Sequence, residues 1–119
     1  MSRNREIGQI GEDLAINHLE LAGLTILERN WRYSKAEIDI IAKEGEALVF
    51  VEVKTRSYDY YGQPEEFVKE KQEALIIDAA QRYMEEIGHD WEIRFDIIAI
   101  ILQKAPQKPE IKHFKDAFF

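Results

Sequence analysis

The chain has 119 residues, a formal net charge of −7, 45% hydrophobic residues and no cysteine. A chain of that length builds one compact domain with a real core, not two, so residues 1–119 are expected to form a single unit. The lack of cysteine excludes disulfides and thiolate metal sites, and the acidic balance excludes a high-affinity nucleic-acid surface spread over the whole monomer while leaving room for a local one.

No run approaches the roughly 20 apolar residues needed to span a bilayer. The opening M-S-R-N-R-E-I-G has no apolar signal-peptide core, so a cytoplasmic protein with no membrane partner is expected. Residues 4–22 read as an amphipathic helix, with Ile7, Ile10, Leu14, His18, Leu21 and Ala22 at helical spacing and Gly23 as its stop. Stepping about 100° per residue puts Asp13, Asn17 and Glu20 on the wet face. The same rotation puts Glu12 at the edge of the apolar sector, near Ala15, Ile16 and Leu19, where a carboxylate looks into the domain or reaches solvent. His18, inside the apolar arc, reads as a hydrogen-bonded packing histidine. Residues 24–31 read as a strand. Arg29, Arg32 and Lys35 cluster ahead of the acidic residues of the next segment, with Trp31 and Tyr33 interleaved, a mixture that suits phosphate contacts and base stacking. A solvated loop around a core tryptophan would carry the same composition.

Residues 36–56 (A-E-I-D-I-I-A-K-E-G-E-A-L-V-F-V-E-V-K-T-R) read as a β-hairpin with two apolar, β-branched arms. A two-residue turn at Glu44-Gly45 pairs Lys43 with Glu46, Ile41 with Leu48, Asp39 with Phe50 and Glu37 with Glu52. Side chains alternate along a strand, so Phe50, Glu52 and Lys54 share one face, and Asp39 joins them. Asp39 then sits diagonal to Glu52, roughly 7–8 Å away between Cα atoms. Two carboxylates at that separation can converge on one cation, with a lysine beside them. A slip of one residue would send Asp39 to the other face and dissolve the site. The same residues also suit a half-solvated face carrying a cross-strand ion pair, although the apolar residues on both faces favour a covered, central hairpin.

The tyrosine-rich T-R-S-Y-D-Y-Y-G-Q-P is a loop, with Gly62 and Pro64 as breakers. Residues 64–87 form a second long helix, opened by Glu65 and Glu66 and closed by Gly88. Its buried face carries Val68, Ile76, Ala79, Ala80, Tyr83 and Ile87. Lys71 lies off that stripe, in line with Leu75 and Asp78. Residues 91–102 read as a central strand, interrupted by Asp96, which either caps a polar network or marks where the strand emerges. K-A-P-Q-K-P is a loop, and residues 111–119 form a short strand or tail whose apolar end packs on the core or on a second subunit. The order gives an α/β or α+β sandwich: one central mixed sheet flanked by helices.

Glu12 in a first helix, E-I-D at 37–39, V-E-V-K at 51–54 and a following helix with Lys71 resemble the PD-(D/E)XK nuclease superfamily, with a motif order similar to archaeal Holliday-junction resolvases. Closer still is the small bacterial YraN family of restriction-endonuclease-like proteins. That resemblance covers nearly the whole chain through I-G-Q-I-G-E-D-L-A, A-E-I-D-I-I-A, F-V-E-V-K-T-R and R-F-D-I-I-A-I. D-x(12)-E-x-K alone is a weak pattern; four blocks in order make it specific. One departure is Ala36, where the family usually has glycine. If that glycine serves close backbone approach, alanine narrows the site, although the acidic residues stay intact.

The resemblance implies a restriction-endonuclease-like three-layer sandwich. It also implies a Mg²⁺ (or Mn²⁺) ion held by Asp39, Glu52 and the Val53 carbonyl, with Glu12 in the outer shell or on a second metal. Lys54 would orient or deprotonate the attacking water, making Glu12, Asp39, Glu52 and Lys54 the catalytic set. Arg32, Arg56 and Lys71 are the candidates for contact with nucleic acid. The expected function is metal-dependent hydrolysis of DNA phosphodiester bonds, with branched or structured DNA among the substrates and a C2 homodimer supplying two symmetric sites. The alternative is a nuclease-fold module that binds nucleic acid or a protein without cleavage; a third is an interaction protein with a relic site.

Overall fold

The computed structural model describes residues 3–58 and 70–117, and side chains within 6–58 and 73–117. In chain order it contains α1 (Arg3–Leu21), β1 (Thr25–Tyr33), β2 (Ala36–Glu44), β3 (Ala47–Arg56), α2 (Glu70–Ile87), β4 (Ile93–Ile101) and β5 (Glu110–Phe114). Five strands form one sheet in the order β1-β2-β3-β4-β5. The pairings are antiparallel except β3 with β4, whose parallel match runs from Leu48↔Ile93 to Arg56↔Ile101. A parallel pair needs a crossover, and α2 lies within it.

Each helix covers one face of the sheet. Against α1 lie Ile40, Ala42, Val49, Val51, Ile98 and Ile100, packed with Ala15 and Leu19. Against α2 lie Ile38, Ile41, Leu48, Phe50 and Phe95, packed with Ile76, Ala79, Ala80 and Tyr83. The expected mixed sheet with flanking helices is therefore present. β3 is covered on both sides, which is why its sequence from Ala47 to Val51 is unbroken in apolar character. Among the described residues, no helix is long and apolar enough to cross a membrane.

Four local expectations are corrected. The buried side of α1 runs through Gly11, Ala15 and Leu19, whereas Ile10 and Leu21 are exposed. The reason is Gly11: a side chain there would overlap the Thr55 side chain, so the helix approaches β3 most closely along its small residues. Glu12 is half-buried beside that side, at the edge of the apolar sector where it was expected. Ile87, expected in the core, is exposed in the last turn of α2. Residues 64–69, the expected start of that helix, lie outside the described residues, as does the Val68 side chain. β1 continues past Trp31 to Tyr33, so Arg32 and Tyr33 are also strand residues, and Trp31 packs against the α2 cluster.

The fourth correction concerns the hairpin. The observed register pairs Glu44 with Ala47, Lys43 with Leu48, Ala42 with Val49, Ile41 with Phe50 and Ile40 with Val51. The turn is Gly45-Glu46, with Gly45 at φ 60° in the first central position, where a type II′ turn demands glycine. The register differs from the expected one by two residues. An even shift leaves each side chain on its face.

Candidate functional site

The site forms where β2 and β3 stop pairing. Their ladder ends at Ile40↔Val51, and in the next position Asp39 supplies the acceptor from its side chain: the Val53 N–H donates to Asp39 Oδ2 at 2.8 Å. Strand alternation also breaks here. Ile38 packs in the α2 cluster and Ile40 in the α1 cluster, although they are two residues apart. The neighbouring strand does the same, because Trp31 packs toward α2 whereas Arg29 reaches Glu12 and Asp13 on α1. Between these paired positions stand Asn30 and Asp39, and Asn30 has φ 55°, a left-handed conformation that asparagine tolerates better than most residues. The paired irregularity turns Asp39 out of the regular pleat and into the gap between strands.

Four carboxylates gather around that gap. Oxygens of Glu12, Glu37 and Asp39 all lie within 4.8 Å of one another. Glu52 borders the same cavity, about 260 Å³, together with Glu37, Asp39 and Leu75 and Ile76 of α2. Burial, and then the charge on Glu52, push the Asp39 carboxyl up to about 8, against a lowering from the Val53 amide. Burial also raises Glu52, although Lys54 opposes it through an ion pair of 2.9 Å between Nζ and Oε1. Glu12 is steadied by Arg29 Nε at 3.5 Å, while the same guanidinium reaches Asp13 at 2.7 Å. Glu37 is paired with the exposed Arg32 at 2.7 Å.

The structure thus brings Glu12 and Asp39 together, with Glu52 and Lys54 alongside. Its closest acidic trio, however, differs from the expected pair: Glu37 takes the third place and Glu52 turns to Lys54. Glu37 was readable from the E-I-D spacing, since it precedes Asp39 by two residues on the same strand. Val53 contributes its N–H to Asp39. Ala36 is buried in the α2 cluster and borders the acidic cavity. Arg32 is engaged with Glu37. Arg56 donates to the Thr55 carbonyl at 2.9 Å and lines a second cavity on the α1 side of β3. Lys71 falls in the first turn of α2, and its side chain lies outside the described residues.

The trio offers only carboxylate oxygens, the donor set of a hard divalent cation, and places them close enough to repel one another. A Mg²⁺ or Mn²⁺ ion fits those donors, with Glu12, Glu37 and Asp39 as the residues that would hold it and Glu52 as the neighbouring carboxylate. Such an ion would relieve the repulsion that raises Asp39.

A second buried carboxylate sits elsewhere on the α1 face. Asp96 of β4 is fully buried and accepts from Arg94 Nε at 2.8 Å and Nη2 at 2.9 Å, from His113 Nε2 at 2.8 Å and from the Asp116 N–H at 3.0 Å. Burial alone would raise it, but the bonds from His113, Arg94 and the Asp116 amide outweigh burial and hold it at about 2. His18 Nε2 lies 3.1 Å from His113 Nδ1, so the histidine of the first helix is a packing group in a hydrogen-bonded chain, as expected.

Residues 11–100 match the family described as "Uncharacterised protein family UPF0102". A UPF0102 protein of Christiangramia forsetii is 51% identical over 119 residues, covering 100% of this chain and 98% of its own. One from Flavobacterium psychrophilum is 45% identical over 119 residues, with the same coverage. A UPF0102 protein of Rhodococcus jostii is 44% identical over 119 residues, covering 99% of this chain and 100% of its own.

Proposed function

Because the chain belongs to the UPF0102 family, whose name assigns no chemistry, its function must be argued from the site, and we propose that it is a metal-dependent phosphodiesterase acting on DNA in the cytoplasm. The observation that carries this reading is the convergence of Glu12, Glu37 and Asp39 beside the Glu52–Lys54 ion pair at the end of a central strand. The order of acidic helix residue, strand aspartate and E-x-K strand is that of a PD-(D/E)XK nuclease, and the mixed sheet with flanking helices supports it.

When bound, Mg²⁺ or Mn²⁺ would polarise a phosphate oxygen and strengthen water as a nucleophile. The chain's own residues do the rest. Glu12, Glu37 and Asp39 supply the negative charge that selects the cation. Glu52 holds Lys54, and the lysine ammonium orients the attacking water and offsets charge developing on the phosphate. Arg56 is placed to steady the DNA backbone, and Arg32 can exchange Glu37 for a phosphate. Branched DNA is the first form to test, because a C2 dimer would present it with two symmetric sites.

A second reading is a nuclease-fold module that binds nucleic acid or a protein without cutting. The net charge of −7 and the engagement of Arg29 and Arg32 by carboxylates favour it.

Titration calorimetry with Mg²⁺ and Mn²⁺ on wild type and on Asp39→Asn/Glu52→Gln separates the two. Single-stranded, duplex and four-way DNA are assayed for cleavage on the same samples. The nuclease reading expects metal uptake lost in the double variant and metal-dependent cleavage in wild type. It also expects Lys54→Ala to lower cleavage at saturating DNA by about 100-fold or more in a variant that stays folded at the assay temperature. Absence of metal uptake, even with DNA present, would sink the catalytic reading.

A further inference from the structure

We infer that the cavity on the α1 side of β3 is a subsite for one nucleotide of a DNA strand, with the backbone of α1 at Gly8 as its wall. The inference deepens the nuclease reading and rests on it for the position of the cut phosphate. Its starting point is a contrast between two glycines of the same helix. Gly11 is accounted for by packing, since a Cβ there would overlap Thr55. Gly8 is one turn away and lies in the helix interior, where glycine is a poor helix former. Among the described residues, a Cβ at Gly8 would meet nothing within 4 Å. Among the described residues packing does not account for Gly8, whereas an occupant of the space beside it would.

That space has a volume of about 510 Å³, within the range of about 300–1,000 Å³ found for small-ligand sites. Gly8, Ile7, Glu12, Lys54, Arg56 and Ser57 border it. The ammonium of Lys54 and the guanidinium of Arg56 suit a phosphate, Ser57 offers a hydroxyl, and Ile7 beside the bare helix backbone offers a flat wall for a sugar or base. Glu12 and Lys54 belong both to this cavity and to the acidic centre, Lys54 through its bond to Glu52. A strand crossing Lys54 would therefore place one phosphate at the acidic trio and the adjoining nucleotide over Gly8.

The test uses Gly8→Leu and Gly8→Ala in the full chain. Melting temperature, Mn²⁺ uptake by calorimetry and binding of a fluorescein-labelled single-stranded oligonucleotide by anisotropy are measured at low salt, with and without Ca²⁺. Gly8→Leu should melt at or above wild type, take up Mn²⁺ as wild type does, and bind the oligonucleotide at least tenfold more weakly. Gly8→Ala should fold equally well and lose less affinity, and it carries the test should the leucine variant melt low. Wild-type oligonucleotide affinity in both variants would overturn the subsite, as would failure of the wild type to bind the oligonucleotide in either condition. The nuclease reading fails separately: if wild type takes up no Mn²⁺ yet Gly8→Leu still loses the oligonucleotide, the subsite stands without the metal.

Discussion

Asp96 is fully buried and Asp39 half-buried in one small domain, and they meet opposite fates. Asp96 receives two bonds from Arg94, one from His113 and one from the Asp116 amide, which hold it ionised with a pKa of about 2. Among the described residues Asp39 receives one, from the Val53 amide, and burial together with the charges of Glu52, Glu12 and Glu37 raises its pKa to about 8. A buried carboxylate whose lone pairs are matched by donors belongs to the fold. One surrounded by other carboxylates is short of positive charge, and strained ionisation of that kind concentrates at working sites. The difference separates scaffold from candidate centre without reference to any relative.

The sharpest way to break the comparison is to delete each aspartate. Asp96→Ala leaves Arg94 with Glu44 as its ion-pair partner but removes the acceptor of His113 and of the Asp116 amide, so it should cost about 3 kcal/mol in urea unfolding. Asp39→Asn should do the reverse. The amide oxygen still accepts from Val53, and folding no longer has to hold a proton that the unfolded chain has released, so the variant should gain about 2 kcal/mol at pH 7.5. A comparable loss at both positions would abolish the distinction.

The pH dependence separates the two as well. The folded pKa of Asp96 lies below the ordinary carboxylate value of about 3.9, so its contribution is present above about pH 4 and is lost as pH falls toward 2. The folded pKa of Asp39 lies above that value. The unfolded chain gives up its proton first, and stability falls as pH rises from about 4 to 8. Wild type should therefore lose stability across that window, and Asp39→Asn should lose less, as urea midpoints at pH 4.5, 6 and 7.5 would show. In the proposed reading a cation binds the ionised trio. Mn²⁺ uptake at pH 6.5 should then release about one proton, read from calorimetry in buffers of different ionisation enthalpy.

The same contrast shows what the sequence could reveal. The sheet and helices were legible because β-branched runs, a turn glycine and helical periodicity all act locally. Asp39 and Glu52 were legible because charged residues in apolar strands are conspicuous. The expected hairpin register was off by two residues, an even error that keeps the faces of the paired positions from Ile40 to Glu44, whereas Asp39 lies beyond the ladder. The inward turn of Asp39 was not legible. It depends on Asn30 in the neighbouring strand adopting a left-handed backbone, a pairing no local pattern announces. Nor was the rotation of α1 toward Gly11, since hydrophobic spacing favours Ile10 and Leu21, and only the approach of Thr55 makes the glycine side the buried one. The Asp96 network draws on β4, β5 and α1, so only its centre was visible.

The smallest expected effect probes the rim of the acidic centre. Arg32 is largely exposed and pairs with Glu37 at 2.7 Å, the kind of surface pair that contributes less than about 1 kcal/mol, so Arg32→Ala should leave the melting temperature nearly unchanged. Its influence on a cation should be larger than its influence on the fold. The guanidinium occupies one oxygen of a proposed ligand and adds positive charge beside the trio, so removing it should tighten Mn²⁺ binding about two- to tenfold at low salt. The gain should shrink as added salt screens the exposed charge. DNA binding should move the other way, because the same guanidinium is a candidate phosphate contact. Opposite changes in metal and DNA affinity from one substitution would place Arg32 between the two. Unchanged Mn²⁺ affinity would take Glu37 out of the metal set and return the third place to Glu52, as the strand spacing first suggested.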